Sequence, residues 1–499
     1  MASLDDIRAA RMEKLRALQK RGLEPFPISA KASYTLAEVV EAFPKLAKGD
    51  DKAGKPNKPG KKLTLVGRIL SLRPQGAIFF FTFDDGTGRF QGFIKKGEHI
   101  SDADFDLWSE VLDMGDFVEV SGHLFTTARG EKTIQVHSWK MLAKSLRPLP
   151  EKWHGLQDTE ERFRRRYLDT IATPAVKERF IVRSKIVSAL RSELDKAGFL
   201  EVETPMLQPQ AGGASAMPFT THHNALDTDL HLRIAPELYL KQLLVGGFPK
   251  VYEIGRNFRN EGIDVTHNPE FTMLEYYEAY SDAPRQMKFV EKILKDLVKK
   301  VFGSEKFQFD EIEIDLGKKF AVTSYLDLIS RMTLIQNPSS LSPSDLKIQA
   351  ERLGVRVETG DSTEKILDNI YKKVCRPKLI QPTFIVDYPA NYLPLAKRQL
   401  EKPDLVDAFQ LVIGGIEIVK AFSELNDPID QRERFLHQEK NKSSGEHDAQ
   451  SMDEAYVEAM EYGMPPAGGV GIGIDRLVML LTNTKNIREV ILFPTLRPR

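Results

Sequence analysis

At 499 residues, 41% apolar and 28% charged, the chain has the make-up of an ordinary soluble protein and room for two to four domains of roughly 100–200 residues each. Lys and Arg number 71 and Asp and Glu 71, so a polyanionic partner must be met by local patches rather than by overall attraction. A single cysteine excludes an internal disulfide framework and a Cys-rich zinc site. No apolar run reaches the roughly 18–20 residues of a membrane span, and the charged N-terminus is no signal peptide, which points to the cytoplasm.

Leu4–Arg21 reads as a helix, with Ser3 and Asp6 at capping-box spacing and Gly22 as its stop. Residues 1–62 hold 14 Lys/Arg against 8 Asp/Glu, an excess that suits a solvated face or a nucleic-acid contact. Lys48–Lys62, with two prolines and no large apolar residue, reads as a spacer closing an N-terminal region 1–61. Over 62–145 the pattern is all-β. The runs 63–70, Ala77–Phe83, Phe90–Lys95, Phe117–Phe125 and Lys132–Leu142 are separated by Asp85-Gly86, Thr87-Gly88, Met114-Gly115 and Arg129-Gly130. Five such strands suit a small OB-type barrel, a fold that binds single-stranded nucleic acid. Phe79, Phe80, Phe81 and Phe83 must divide between two faces. An outward Phe beside Arg68, Arg73 or Arg89 is what stacking on unpaired bases requires; a Phe-rich barrel core is the other reading.

From 146 to 499 the chain reads as α+β. A linker at Arg147–Pro150 and a charged helix at Glu160–Arg166 lead to Phe180, Val187, Leu190 and Leu194 at helical spacing, closed by Gly198. A strand, Phe199–Thr204, follows and ends at Pro205. Antiparallel hairpins come next, with a helical insertion near 344–374, and Cys375 at its end is read as structural. Lys250–Asn257 and Phe271–Tyr280 alternate like strands around a polar loop holding Arg259, Glu261 and His267. On the second strand Phe271, Met273, Glu275 and Tyr277 share one face, an aromatic platform followed by a carboxylate and a phenol, which suits a nucleotide site. Gly468-Gly-Val-Gly-Ile-Gly-Ile-Asp-Arg476 runs from a strand into a helix. There backbone can approach a ligand closely and a guanidinium can meet a phosphate, although the run is neither a P-loop nor a dinucleotide fingerprint. Glu237, Glu417 and Glu424 lie in apolar surroundings, where a carboxylate needs a cation or a metal.

These residues resemble the class II lysyl-tRNA synthetases over nearly the whole chain. Phe199-Leu-Glu-Val-Glu-Thr-Pro205 is similar to motif 1, Phe258-Arg-Asn-Glu261 with His267 and Phe271 to motif 2, and Gly469–Arg476 to motif 3. The resemblance implies an antiparallel sheet flanked by helices, an N-terminal OB-fold anticodon domain, and a homodimer that joins lysine to the 3′ end of tRNA(Lys) using ATP and Mg²⁺. Arg259 and Arg476 would carry catalysis, the first on the α-phosphate and the lysine carboxylate, the second on the γ-phosphate. Glu261 and His267 would meet adenine and the phosphates, and Phe271 would stack on adenine. Glu417 and the residue at Gln410 would face the metal. Gly213, Glu237, Glu275, Tyr277, Lys420 and Glu424 would form the lysine pocket, with Glu424 and Tyr277 at the ε-ammonium. Arg73, Phe80, Gln91 and Glu131 would read a U-rich anticodon. The chain departs from the family pattern at Gln410, where a second acidic metal ligand is usual, and at Lys420, where an Asn is usual. It departs again at Met217, Thr266, Leu393 and Ala408. Altered amino-acid specificity, aspartate or asparagine included, a paralogue that attaches lysine to a protein, and a non-catalytic tRNA-binding paralogue are the alternatives.

Overall fold

The computed structural model describes residues 3–47, 60–150, 155–358, 361–443 and 451–498. Most of the segment read as a spacer therefore lies outside the described residues. The chain divides into two compact units, Met1–Gly155 and Leu156–Arg499. Among the described residues no helix is long and apolar enough to cross a membrane.

The first unit opens with helix α1, Leu4–Lys20, whose capping box is formed: Ser3 Oγ accepts the Asp6 N–H at 3.1 Å and Asp6 accepts the Ser3 N–H at 2.9 Å. Part of its positive charge turns inward. Arg11 is buried and donates to the carbonyls of Met114, Ser145 and Arg147, and Lys14 pairs with Asp113 at 2.7 Å. Strands β1 (Leu63–Gln75), β2 (Ile78–Asp84), β3 (Arg89–Lys95), β4 (Phe117–Thr126) and β5 (Lys132–Ala143) close a barrel in the order β1-β2-β3-β5-β4. The expected strands are present, and β1 runs five residues further than its apolar run. A helix at Asp102–Val111 was not anticipated; Phe105, Leu107, Trp108 and Val111 enter the barrel core, Trp108 lying 4.9 Å from Phe81. The strand period divides the phenylalanines: Phe79, Phe81 and Phe83 are core, and Phe80 faces outward.

The second unit is α+β, built on an eight-stranded sheet. In spatial order its strands are Ala321–Ser324, Thr383–Pro389, Leu405–Ile413, Ile416–Ser423, Ala467–Gly473, Glu270–Ala279, Lys250–Phe258 and Leu200–Glu201. The six inner strands are mutually antiparallel, and each edge strand runs parallel to its neighbour. One face is dry. Leu274, Tyr276, Val419, Ala421, Val470 and Ile472 pack there against the helices Pro174–Lys196, Ala283–Phe302 and Ile474–Leu481. Because side chains alternate, residues one step away on the same strands must face the other side, and that side holds the pocket. Cys375 is buried in a separate cluster around Tyr325, Tyr371 and Tyr388, and burial pushes its thiol up to about 11, so it stays an inert thiol.

Candidate active site

The Gly-rich run follows from this alternation. Val470, Ile472 and Ile474 point into the core, while Gly469, Gly471 and Gly473 form the floor of a cavity of about 600 Å³. Register sets what flanks the floor. Lys420 and Glu275 stand opposite Gly471 on its two sides, and Phe422 and Tyr277 stand opposite Gly469. A Cβ at 469 would lie 2.0 Å from Glu424 Oε1 and 2.4 Å from Tyr277 Cε1, so glycine is what lets both side chains cross the strand. Gly213 has φ +83°, and a Cβ there would lie 2.9 Å from Glu237 Cβ.

At one end the pocket is acidic. Glu237 opens the helix Glu237–Val245, Glu275 accepts the Tyr277 hydroxyl at 2.9 Å, and Glu424 is buried. A residue the sequence reading passed over sits among them. Lys241, one helical turn after Glu237, is buried, pairs with Glu237 Oε1 at 2.5 Å and contacts Glu424 Oε2. Three aromatic rings surround its ammonium, Phe422 at 5.3 Å and Tyr277 and Tyr456 each at 6.0 Å. The spacing Glu237-x-x-x-Lys241 was the available signal. Three buried carboxylates thus crowd around one ammonium that pairs with two of them, an arrangement with room for further positive charge. The crowding shows in the side chains: among the described residues Glu424 Oε1 has no hydrogen-bond partner, and burial, with the charges of Glu237 and Glu275, raises the Glu424 pKa against the pull of Lys241. Burial and the charge of Glu237 push Glu275 up to about 8.

The other end is cationic. The hairpin strands Lys250–Phe258 and Glu270–Ala279 carry Arg259 at their tip, held by its N–H to the Pro269 carbonyl at 2.8 Å. Its guanidinium lies over Phe271, 5.0 Å from the ring centroid, and its Nε is inaccessible to water and has no partner among the described residues. Arg476, in the first turn after the Gly-rich strand, meets His267 Nε2 at 3.0 Å and Glu417 Oε1 at 3.8 Å. Asp264 accepts from His267 Nδ1 at 2.8 Å, which leaves Nε2 to accept from Arg476. Glu261 lines the same cavity. Gln410 is the cross-strand neighbour of Lys420, and its side-chain oxygen accepts the Tyr371 hydroxyl at 3.4 Å. The insertion adds a wall that the sequence reading did not assign: Lys365, Asp368, Lys372 and Arg376 all line the cavity, spaced three, four and four apart. All the residues expected at the nucleotide and lysine sites thus border one cavity, except Glu424, whose buried Oε1 lies against Gly469 together with the Tyr277 ring.

On the barrel, Arg73, Phe80 and Gln91 share the outer face. Arg73 is paired across strands with Phe80, and its guanidinium donates to Gln91 Oε1 at 3.2 Å. Phe80 lies 5.0 Å from Phe93, itself 5.7 Å from Phe125, so an aromatic row crosses three strands. Glu131 is exposed in the β4–β5 turn. Arg68 and Arg89 are engaged elsewhere, Arg68 over Phe117 at 4.3 Å and Arg89 with Asp84 at 3.3 Å.

Comparison with known proteins agrees with this geometry. Residues 158–497 match the family described as tRNA synthetases class II (D, K and N), and residues 63–142 match the OB-fold nucleic acid binding domain. A lysine--tRNA ligase of Carboxydothermus hydrogenoformans is 49% identical over 496 residues, covering 99% of both chains. One from Pelotomaculum thermopropionicum is 47% identical, covering 99% of this chain and 96% of its own. One from Chloroflexus aurantiacus is 46% identical, covering 99% of each. Glycine floor, acidic pocket, cationic hairpin and outward aromatic row therefore have one common explanation: the chain belongs to the lysine--tRNA ligase family of class II tRNA synthetases.

Proposed function

We propose that this pocket activates lysine with ATP and passes the lysyl group to the 3′ end of tRNA(Lys). The observation that carries the reading is the cluster of three buried acids around a single lysine at one end of a cavity whose other end is cationic. Lysine brings two ammonium groups and one carboxylate, so Glu424 and Tyr277 take the ε-ammonium, Glu237 and Glu275 take the α-ammonium, and the carboxylate points to Arg259. Aspartate or asparagine would add no second cation and would leave the buried acids unmatched, which disfavours both. ATP lies with adenine against Phe271 and Glu261 and with its phosphates toward Arg259, His267 and Arg476.

The chemistry follows from charge. The lysine carboxylate attacks the α-phosphate, the bond to pyrophosphate breaks, and lysyl-adenylate forms; the tRNA ribose hydroxyl then displaces AMP. The first step brings two anions together, and Arg259 sits where carboxylate and phosphate meet. No protein nucleophile is needed, and the rate comes mainly from positioning. A Mg²⁺ ion held between Gln410 and Glu417 does not fit the residues present. The pair has a single carboxylate, and among the described residues no three His, Cys, Asp or Glu side chains are grouped to hold a metal. We place the enzyme in the cytoplasm as a homodimer, the apolar Leu200 on the edge strand and Met206 and Leu207 just after it being exposed.

Amino-acid-dependent ATP–pyrophosphate exchange tests the reading: a signal with lysine is expected, and a signal only with another amino acid would overturn it. Phe80→Ala is expected to raise the KM for tRNA by about 5–150-fold, the worth of one stacked base, with the exchange reaction unaltered. Glu275 makes lysine binding pH-dependent. Its folded pKa of about 8 exceeds the ordinary value of 4.5, so without an ammonium ligand the protein keeps this proton across that window and loses stability as pH rises through it. An ammonium ligand requires the ionised form. The KM for lysine should therefore fall by about tenfold per pH unit on approaching pH 8 and then level off, and calorimetry in two buffers should show a proton released on binding.

A further inference from the structure

Gln410 and Glu417 lie on adjacent antiparallel strands at the phosphate end of the cavity, where a metal-binding site would need clustered carboxylates. Instead, Glu417 is surrounded by cations. Arg476, Lys420, Arg376 and Lys372 all lower its pKa, in that order, and together they outweigh the effect of its burial. Lys420, directly across from Gln410, has no ion pair or hydrogen bond within 4.0 Å among the described residues, and it lines the cavity. Glu417 is the charge that acts on it most strongly. Among the described residues the buried Nε of Arg376 has no partner, and Lys372 is steadied by Asp368 at 2.6 Å. Gln410 offers only a neutral amide, and its oxygen already faces the Tyr371 hydroxyl.

We propose that the ammonium of Lys420, backed by Arg376 and Lys372, takes the place of a protein-held divalent cation beside Glu417, so that divalent metal enters this pocket only on the nucleotide's own phosphates. The inference rests on the ATP-activating reading above. It explains two departures at once, since a second metal-binding carboxylate at 410 would instead face the Lys420 ammonium across the ladder. A divalent ion placed there would meet four cations around one carboxylate. A monovalent ammonium on a flexible stem can neutralise the same phosphate oxygen and has no octahedral shell to complete.

The test counts Mn²⁺ by electron paramagnetic resonance at saturating α,β-methylene-ATP, with bound nucleotide measured in the same samples. The wild-type protein is expected to hold one Mn²⁺ per nucleotide, and Gln410→Glu/Lys420→Asn two. Two or more in the wild type would overturn the proposal, as would one in the double variant while nucleotide stays bound. Titration without nucleotide gives a second arm. The wild type should bind no Mn²⁺ below millimolar concentration, and a site there that disappears in Glu417→Gln would equally overturn it. Absence of nucleotide binding and of lysine-dependent exchange would instead count against the ATP-activating reading, and the nucleotide-free titration would still decide the metal question.

Discussion

Replacing Arg259 with alanine is expected to cut lysine-dependent ATP–pyrophosphate exchange by about 10²–10³-fold, the range measured when one preorganised donor to developing charge is removed. The size follows from its setting. The guanidinium is pinned over Phe271 at 5.0 Å, its Nε is sealed from water, and its backbone is tied to Pro269 at the hairpin tip. It is therefore in place before substrate arrives, and nothing has to reorganise when charge builds between carboxylate and α-phosphate. Arg259→Lys is expected to recover little, because a lysine has neither the planar fork nor the flat face that rests on the ring. The KM values for lysine and ATP should rise less than kcat falls. A loss smaller than tenfold, in a variant with unchanged circular dichroism and melting midpoint, would show that Arg259 is not the residue at the reacting centre.

How much of this site was legible depends on which physical signal each part rests on. The hairpin and the Gly-rich strand were readable because a period of two is written in the residues: Phe271, Met273, Glu275 and Tyr277 on one face, Gly469, Gly471 and Gly473 on one floor. Alternation also assigned Phe80 outward once its neighbours were known to be core. The helix Asp102–Val111 was missed because its apolar residues serve the inside of a barrel whose closure no local pattern announces. Arg11, in a helix read as a basic surface, turned out to be buried for a similar reason: its carbonyl acceptors lie more than 100 residues away in sequence. The cations of the insertion stand at helical spacing, but only the folded chain shows that this face lines the cavity. Lys241 is the plainest case. Its distance from Glu237 was visible, whereas its second partner, Glu424, is brought to it by a strand far along the chain.

That buried lysine supports the second large expectation. Lys241→Met should destabilise the catalytic unit by about 3–5 kcal/mol, because removing one member of a buried ion cluster leaves its partners charged and unpaired. The methionine fills the volume among Tyr277, Phe422 and Tyr456, so the loss reads as charge rather than as cavity. Two further measurements separate this from ordinary damage. Saturating lysine should restore much of the stability, since its ammonium groups meet the same acids and ligand binding stabilises the folded state by mass action. Adding Glu424→Gln should also restore stability, making the double variant more stable than Lys241→Met alone, a coupling that distant, independent sites do not show. In the wild type the resident ammonium pairs with Glu237 and Glu424, and the three acids together can still accept the ammonium groups of the substrate. Without it the pocket has an acid to spare, so a ligand with a third cationic centre should gain affinity relative to lysine. Unfolding midpoints of the three proteins with and without lysine decide the matter: equal losses in single and double variants, unmoved by lysine, would mean that Lys241 only fills space.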